Sequence, residues 1–155
     1  MASLAVNLGL SDREAIPDAL YRSIIGLDAN DQTTFQSAWH KDATFVFDGT
    51  PPTEGLDAIL ATTFQFIGAG LDTTHMVSNV RVDVKDGANT AKMTAHALAQ
   101  HYRKGEGRNP KAPRFLTGNM YWIDAAKDES SGVWKMTKFE MKVIWCEGDG
   151  SIVGL

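Results

Sequence analysis

The chain has 155 residues, 43% hydrophobic and 22% charged, with a net charge of -4 and a pI near 5.5. That length suits one domain, residues 1–155, able to bury a core without cross-links. The acidic balance offers no footprint for nucleic acid, and the single Cys146 excludes an internal disulfide and any multi-cysteine metal site. No run approaches the roughly 20 apolar residues of a membrane-spanning helix, and "MASLAVNLGL" lacks the basic start of a secretory leader, so a cytosolic protein is expected.

The first helix is signalled by "SDREAIPDALYRSIIGLD". Ser11 with Glu14 fits a capping box, and Ile16, Leu20, Ile24 and Leu27 recur at helical spacing. Pro17 removes one backbone donor and predicts an offset or kinked first turn, while Gly26 weakens the helix end. "DAND" reads as a turn before a short second helix carrying Phe35 and Trp39. "ATFVFDG" is a short strand, "PPTEG" punctuates, and "LDAILATTFQFIGAG" is a third amphipathic helix with Leu56, Ile59, Leu60, Thr63, Phe64 and Ile67 on one side.

The period then changes from 3.6 to 2. Val80, Val82 and Val84 alternate with polar residues, "KDGAN" signals a hairpin, and three further strands follow through "KGEGRNPKAPR" and "AKDESSG". In the last strand Trp134 and Met136 share one parity, while Phe139, Met141, Val143 and Trp145 share the other. One extra residue near Thr137 or Lys138 reconciles them, which predicts a β-bulge. Three helices and a strand ahead of a four-strand meander predict an α+β domain, a curved sheet packed on helices.

The strand "AKMTAHALAQH" carries the first functional signal. Ala91, Met93, Ala95, Ala97, Ala99 and His101 fall on one face, and Lys92, Thr94, His96, Leu98 and Gln100 on the other. The apolar face should meet the helices. Two readings follow: the alanines leave a cavity with His101 at its edge, or they make room for bulky helix residues such as Phe64, Phe66 or Trp39. His96 is expected on the outer face. A regular strand would set His75 in phase with Asn79 and Arg81 instead of the valines, so periodicity leaves its side undecided. Thr94, His96, Leu98 and Trp134 predict a moderately apolar outer sheet face and hence a homodimer.

Other chemistries lack their motifs. "GEGRNP" has neither the ending nor the strand-to-helix context of a phosphate loop. His75, His101 and Cys146 have no metal-ligand spacing, so no metal is expected; there is no G-x-S-x-G and no dinucleotide fingerprint.

The segments "GLDANDQTTFQSAWHKDATFVFDG", "TTHMVSN", "AHALAQHYR", "TGNMYWID" and "SGVWKMTKFEMKVIWCEGD", in this order, resemble scytalone dehydratase and the SnoaL-like proteins. That resemblance, over residues 12–149, implies the nuclear-transport-factor-2-like fold: a cone-shaped α+β barrel, its curved mixed sheet wrapped around three N-terminal helices. It implies a pocket with Asp28, His75 and His101 as catalytic residues and Asn119 and Thr117 as substrate contacts. Where that family places two carbonyl-polarising tyrosines, this chain has Leu27 and Gly49, and the tail after Asp149 is short. Tyr21, Trp39 and Tyr121 are the candidates to supply the missing contacts. The implied activity is cofactor-independent acid–base chemistry on a small apolar natural product, as a lyase or isomerase. An epoxide hydrolase or cyclase, or a non-catalytic carrier or dimerisation module, are the alternatives. Asp28 is expected to pair with His101, with His75 facing them across the pocket.

Overall fold

Ser11 starts the first helix as its sequence foretold. The computed structural model, which describes Val6 and residues 9–155, places helix α1 at Asp12–Asp28. The rest of the leading stretch, on which the expectation about a leader rested, lies outside the described residues. The Glu14 carboxylate accepts the Ser11 backbone N–H at 2.9 Å and its hydroxyl at 2.6 Å, closing the capping box. Pro17 is carried inside α1, where it removes one rung of the ladder without ending the helix.

Helix α2 (Gln32–Ser37) is capped by Asp31, whose carboxylate accepts the Thr34 N–H at 3.1 Å. Gly26 is more than a weak helix end. A Cβ there would stand 2.7 Å from Phe35 Cα and 2.9 Å from the Asp31 carbonyl oxygen, so its missing side chain lets α2 cross α1 backbone to backbone. Trp39 does not ride on the second helix as expected; it opens strand β1 (Trp39–Phe47). Its indole is 3% exposed and donates to Ser23 Oγ at 3.1 Å, which anchors the strand to α1. "PPTEG" contributes a two-residue strand, β2 (Thr53–Glu54), that the sequence reading did not anticipate.

Helix α3 (Leu56–Ile59) continues as a π-helical segment over Leu60–Ala69. The wider turn changes which residues face inward: Ile59, Phe64 and Gly68 are buried, while Leu56, Leu60, Thr63 and Ile67 are only partly so. Strands β3 (Leu71–Asp83), β4 (Thr90–Arg103), β5 (Phe115–Lys127) and β6 (Trp134–Gly148) form the meander. The sheet order is β2-β1-β6-β5-β4-β3, with β1 parallel to β6 and every other neighbour antiparallel. The sheet is mixed and open, and its concave face holds the helices, giving the expected α+β cone.

Bulges decide which side chains enter that concavity. Asp124 pairs with Lys138 and Ala125 with Met136, so Thr137 is the extra residue the parity argument required. A second shift, unforeseen, leaves Ile144 unpaired between Val143 and Trp145. It turns Trp145 away from the Phe139–Val143 face, and its ring lies where a Gly118 side chain would stand. Trp134 also departs from expectation. It is 1% exposed on the helix side, its indole donating to Asp12 Oδ1 at 2.9 Å, and does not lie on the outer face.

Arg22 locks these layers together. It is 7% exposed, and its guanidinium donates to Asp18 Oδ2 at 2.8 Å, to Ser37 Oγ at 3.0 Å, to the Ser37 carbonyl and to the Trp134 carbonyl at 2.7 Å. One side chain of α1 thereby ties the end of α2 to the start of β6.

Candidate active site

The β4 face alternates as its sequence requires: Ala91, Met93, Ala95, Ala97, Ala99 and His101 are all buried, and Lys92, His96 and Leu98 are exposed. The two readings of the alanines divide along the strand. Ala91, Ala95 and Ala97 pack in the main core with Phe35, Trp39 and Phe64, whereas Ala99 borders a cavity of about 1030 Å³. Small side chains at one end make room for helix aromatics; at the other end they leave open space.

That cavity is walled by α1 through Ser23, Ile24 and Leu27, by the π-helical segment, and by the concave sheet face. Its lining is largely apolar. The polar exceptions include His75, His101, Thr117 and Asn119. Trp39, Phe45, Tyr121 and Phe139 form an aromatic wall, with Tyr121 and Phe139 ring centres 4.8 Å apart.

His75 enters the cavity because β3 is bulged. Ser78 pairs with His96 but Arg81 with Thr94, so β3 carries one residue more than β4 across that interval. Asn79 absorbs the mismatch at φ 53°, a left-handed conformation that asparagine tolerates. His75 and Val77 are thereby brought onto the same side as Val80 and Val82. The parity objection to His75 is removed by one residue.

Asp28 pairs with His75, not with His101. The Asp28 Oδ1 to His75 Nδ1 distance is 2.6 Å; the same oxygen accepts the Thr73 hydroxyl at 2.7 Å, and Oδ2 accepts the His75 backbone N–H at 2.8 Å. The last residue of α1 and the first part of β3 thus meet in three hydrogen bonds. Burial alone would raise the Asp28 pKa, but the hydrogen bonds and charge of His75, with the Thr73 hydroxyl, overcome it and hold the carboxyl below its ordinary value. Asp28 does not itself line the cavity. It stands behind His75, fixes the proton on Nδ1 and leaves Nε2 as the nitrogen toward the cavity.

His101 lies 5% exposed with its ring centre 5.7 Å from that of His75, the two rings nearly perpendicular at 86°. Its Nδ1 donates to the Phe115 carbonyl at 3.1 Å, so its Nε2 is an acceptor. Burial is the main cause lowering its pKa, and a proton on neighbouring His75 would act the same way, while the Phe115 carbonyl and Asp28 oppose them. The site therefore holds two differently poised imidazoles: one backed by a carboxylate, one kept neutral.

This predicts a stability profile. Unfolded His101 takes up a proton near its ordinary pKa of 6.5, the folded residue only at lower pH. Between those values the unfolded chain binds more protons, so stability is full above that window and is lost as pH falls through it. Asp28 adds a second loss, below the ordinary carboxyl value of 3.8. Urea unfolding at a series of pH values should show His101→Gln flattening the slope that begins as pH falls below 6.5, while leaving the more acidic loss in place. An unchanged slope in the variant would assign that titration to another group.

Asn119 and Thr117 sit side by side on β5, with Asn119 Nδ2 donating to Thr117 Oγ1 at 2.9 Å and to the Ala97 carbonyl at 3.4 Å. Asn119 Oδ1 is buried without a partner, the one such side-chain atom among the described residues. An unmet buried acceptor costs about 1–3 kcal/mol, which a ligand hydroxyl would relieve. Tyr21 is not brought to the cavity: it is 40% exposed on the far side of α1. Sequence reasoning missed Thr73 and the Phe115 carbonyl. "TTH" placed a hydroxyl two residues before the histidine, but nothing in the sequence marks a backbone carbonyl. Among the described residues no three His, Cys, Asp or Glu side chains converge to hold a metal ion.

Residues 9–140 match the family model of the SnoaL-like domain. The chain is a SnoaL-like protein. A relative from Penicillium crustosum, named terrestric acid biosynthesis cluster protein E, is 41% identical to this SnoaL-like protein over 145 residues, spanning 94% of this chain and 91% of its own. Among solved structures, a scytalone dehydratase candidate from Novosphingobium aromaticivorans superposes with a TM-score of 0.75 at 20% identity, covering 89% of this chain and 87% of its own. A hexachlorocyclohexane dehydrochlorinase from Novosphingobium barchaimii superposes with a TM-score of 0.73 at 21% identity, covering 90% and 91%. At those identities the structural likeness is one of fold, the cone that this SnoaL-like chain shares with both.

Proposed function

We propose that this SnoaL-like protein is a cofactor-independent lyase or isomerase that moves protons on a small, largely apolar intermediate of secondary metabolism. The observation that carries the reading is the 2.6 Å Asp28–His75 pair, which presents His75 in the wall of the apolar cavity with Asp28 behind it. The kinship with a biosynthesis-cluster protein supports the substrate class, and the dehydratase and dehydrochlorinase of like fold are consistent with elimination chemistry. His75 Nε2 takes a proton from carbon beside a carbonyl; Asp28 stabilises the imidazolium that results. Neutral His101 and the unpartnered Asn119 Oδ1 orient a hydroxyl of the substrate. Elimination and isomerisation then differ only in where the proton is returned.

The test is solvent exchange. Apolar hydroxyketones incubated with the protein in heavy water should gain deuterium beside the carbonyl, read by mass spectrometry. No exchange in any of them, together with ligand affinity that survives an apolar residue at position 75, would make the protein a carrier. We further infer that residues 1–155 work as one domain, in the cytosol, as a homodimer. Met76, Leu98 and Trp145 support the last point: they are 56%, 47% and 47% exposed and neighbour one another across the outer sheet face. Sedimentation at micromolar concentration should show twice the 16.9 kDa of one chain, and a lone monomer would refute the dimer.

A further inference from the structure

The second bulge of β6 turns the single cysteine of the chain inward. Counted as a regular strand, Phe139, Met141, Val143 and Trp145 would face the cavity and Cys146 would fall on the outer face with Lys142. The unpaired Ile144 reverses that order. The Trp145 ring lies over Gly118, and Cys146, directly opposite Thr117, lines the cavity. His75, Ala99, Thr117 and Cys146 thus form one inward row across β3, β4, β5 and β6. Three strand spacings of about 4.8 Å put about 14 Å of sheet between imidazole and thiol, so Cys146 stands outside the proton chemistry of His75.

The thiol is solvent-exposed and lines the cavity, so a molecule seated there meets the sulfur without any rearrangement. An independent feature marks the same part of the wall as a place for a ligand. Asn119 is 3% exposed, lines the cavity and holds Oδ1 without a partner. It lies two residues along β5 from Thr117, a diagonal offset from Cys146 of about 7–8 Å. The buried acceptor calls for a donor on a bound molecule, and the apolar walls call for the rest of that molecule to be largely hydrocarbon.

We propose that Cys146 is a covalent capture site for apolar α,β-unsaturated carbonyl compounds held in the cavity. The inference rests on the acid–base reading only for the source of such compounds, because elimination beside a carbonyl yields one as its product. The thiolate is the nucleophile. Its sulfur attacks the β-carbon and a C–S bond forms, while the C=C electron pair moves to the α-carbon and carbonyl as an enolate. The proton given up by the thiol ends on the α-carbon, so S–H adds across C=C without oxidant, reductant or co-reactant. Loss of the α-proton and departure of sulfur reverse the step. The adduct therefore holds product in the cavity and blocks turnover until it reverts.

Naphthalen-2-yl vinyl ketone is the probe and methyl vinyl ketone its small control, with adducts followed by mass spectrometry of the intact protein. Each rate is divided by the rate of the same ketone with N-acetylcysteine at the same pH, which removes intrinsic reactivity. The naphthyl ratio should exceed the methyl ratio by about 10-fold or more, since taking even part of the naphthyl surface out of water supplies that factor. Labelling should level off with rising probe and slow when 2-acetylnaphthalene, which does not react with thiols, competes. One adduct should form, and Cys146→Ser should gain no mass. Equal ratios, labelling that ignores the competitor, an adduct that persists in Cys146→Ser, or no adduct at all would each overturn the proposal. The probe is supplied ready-made, so the two readings fail separately. Selective capture without deuterium exchange on the hydroxyketones leaves Cys146 standing and sinks the acid–base reading; exchange without selective capture does the reverse.

Discussion

His75→Ala is expected to lower turnover by about 10²–10⁴, the range attached to a positioned acid–base group. The side chain borders open space and stands at the end of a hydrogen-bonded chain, so folding should survive its loss. The variant should keep wild-type affinity for an apolar ligand within a few-fold while losing deuterium exchange. Asp28→Asn should also be impaired, for a more specific reason. Asp28 accepts three hydrogen bonds, from the Thr73 hydroxyl, the His75 ring and the His75 backbone N–H. An amide presents only one acceptor atom, so the N–H of His75 or the imidazole must face an NH2 group. The imidazolium would also lose its counter-charge. His101→Ala, by contrast, should reduce turnover less than His75→Ala, because the carboxylate backs His75 and not His101. Equal exchange rates in His75→Ala and wild-type protein would move the base elsewhere.

The largest expected effect on stability comes from Arg22→Met. Arg22 is only 7% exposed, and its guanidinium satisfies the Ser37 and Trp134 carbonyls and pairs with Asp18. Methionine fills much of the same volume but donates nothing. Two acceptors left short at about 1–3 kcal/mol each give an expected loss of about 2–6 kcal/mol in chemical denaturation. Arg22→Lys should recover only part of it, because a single ammonium cannot span both carbonyls in the fork geometry of the guanidinium. A denaturation midpoint within error of wild type for Arg22→Met would show that water replaces the clamp.

Much of the frame was legible in the chain because local rules and burial pull the same way. The capping box at Ser11 and Glu14 formed, the valine and alanine alternations set the sheet faces, and the parity break in the last strand located an extra residue at Thr137. His101 was aimed inward by the same count. Such inferences need only a period and a buried face.

Local patterns therefore specify the order of the principal elements, the α+β class and which side of β4 is apolar. Tertiary structure decided the rest, because it depends on contacts between residues far apart in the chain. Asp28 chose His75 over His101 only when the end of α1 met β3, a pairing across 47 residues that no spacing rule covers. His75 faced the cavity only because the bulge at Asn79 reset the parity of its strand, and a bulge is fixed by the register of the neighbouring strand. Trp39 became the first residue of a strand when β6 offered a parallel partner at Met136, although its local sequence continued a helix. Gly26 reads as a helix weakness until the backbone of α2 lies across it. Each of these is a matter of where a second segment comes to rest, and that is set by packing the whole core at once.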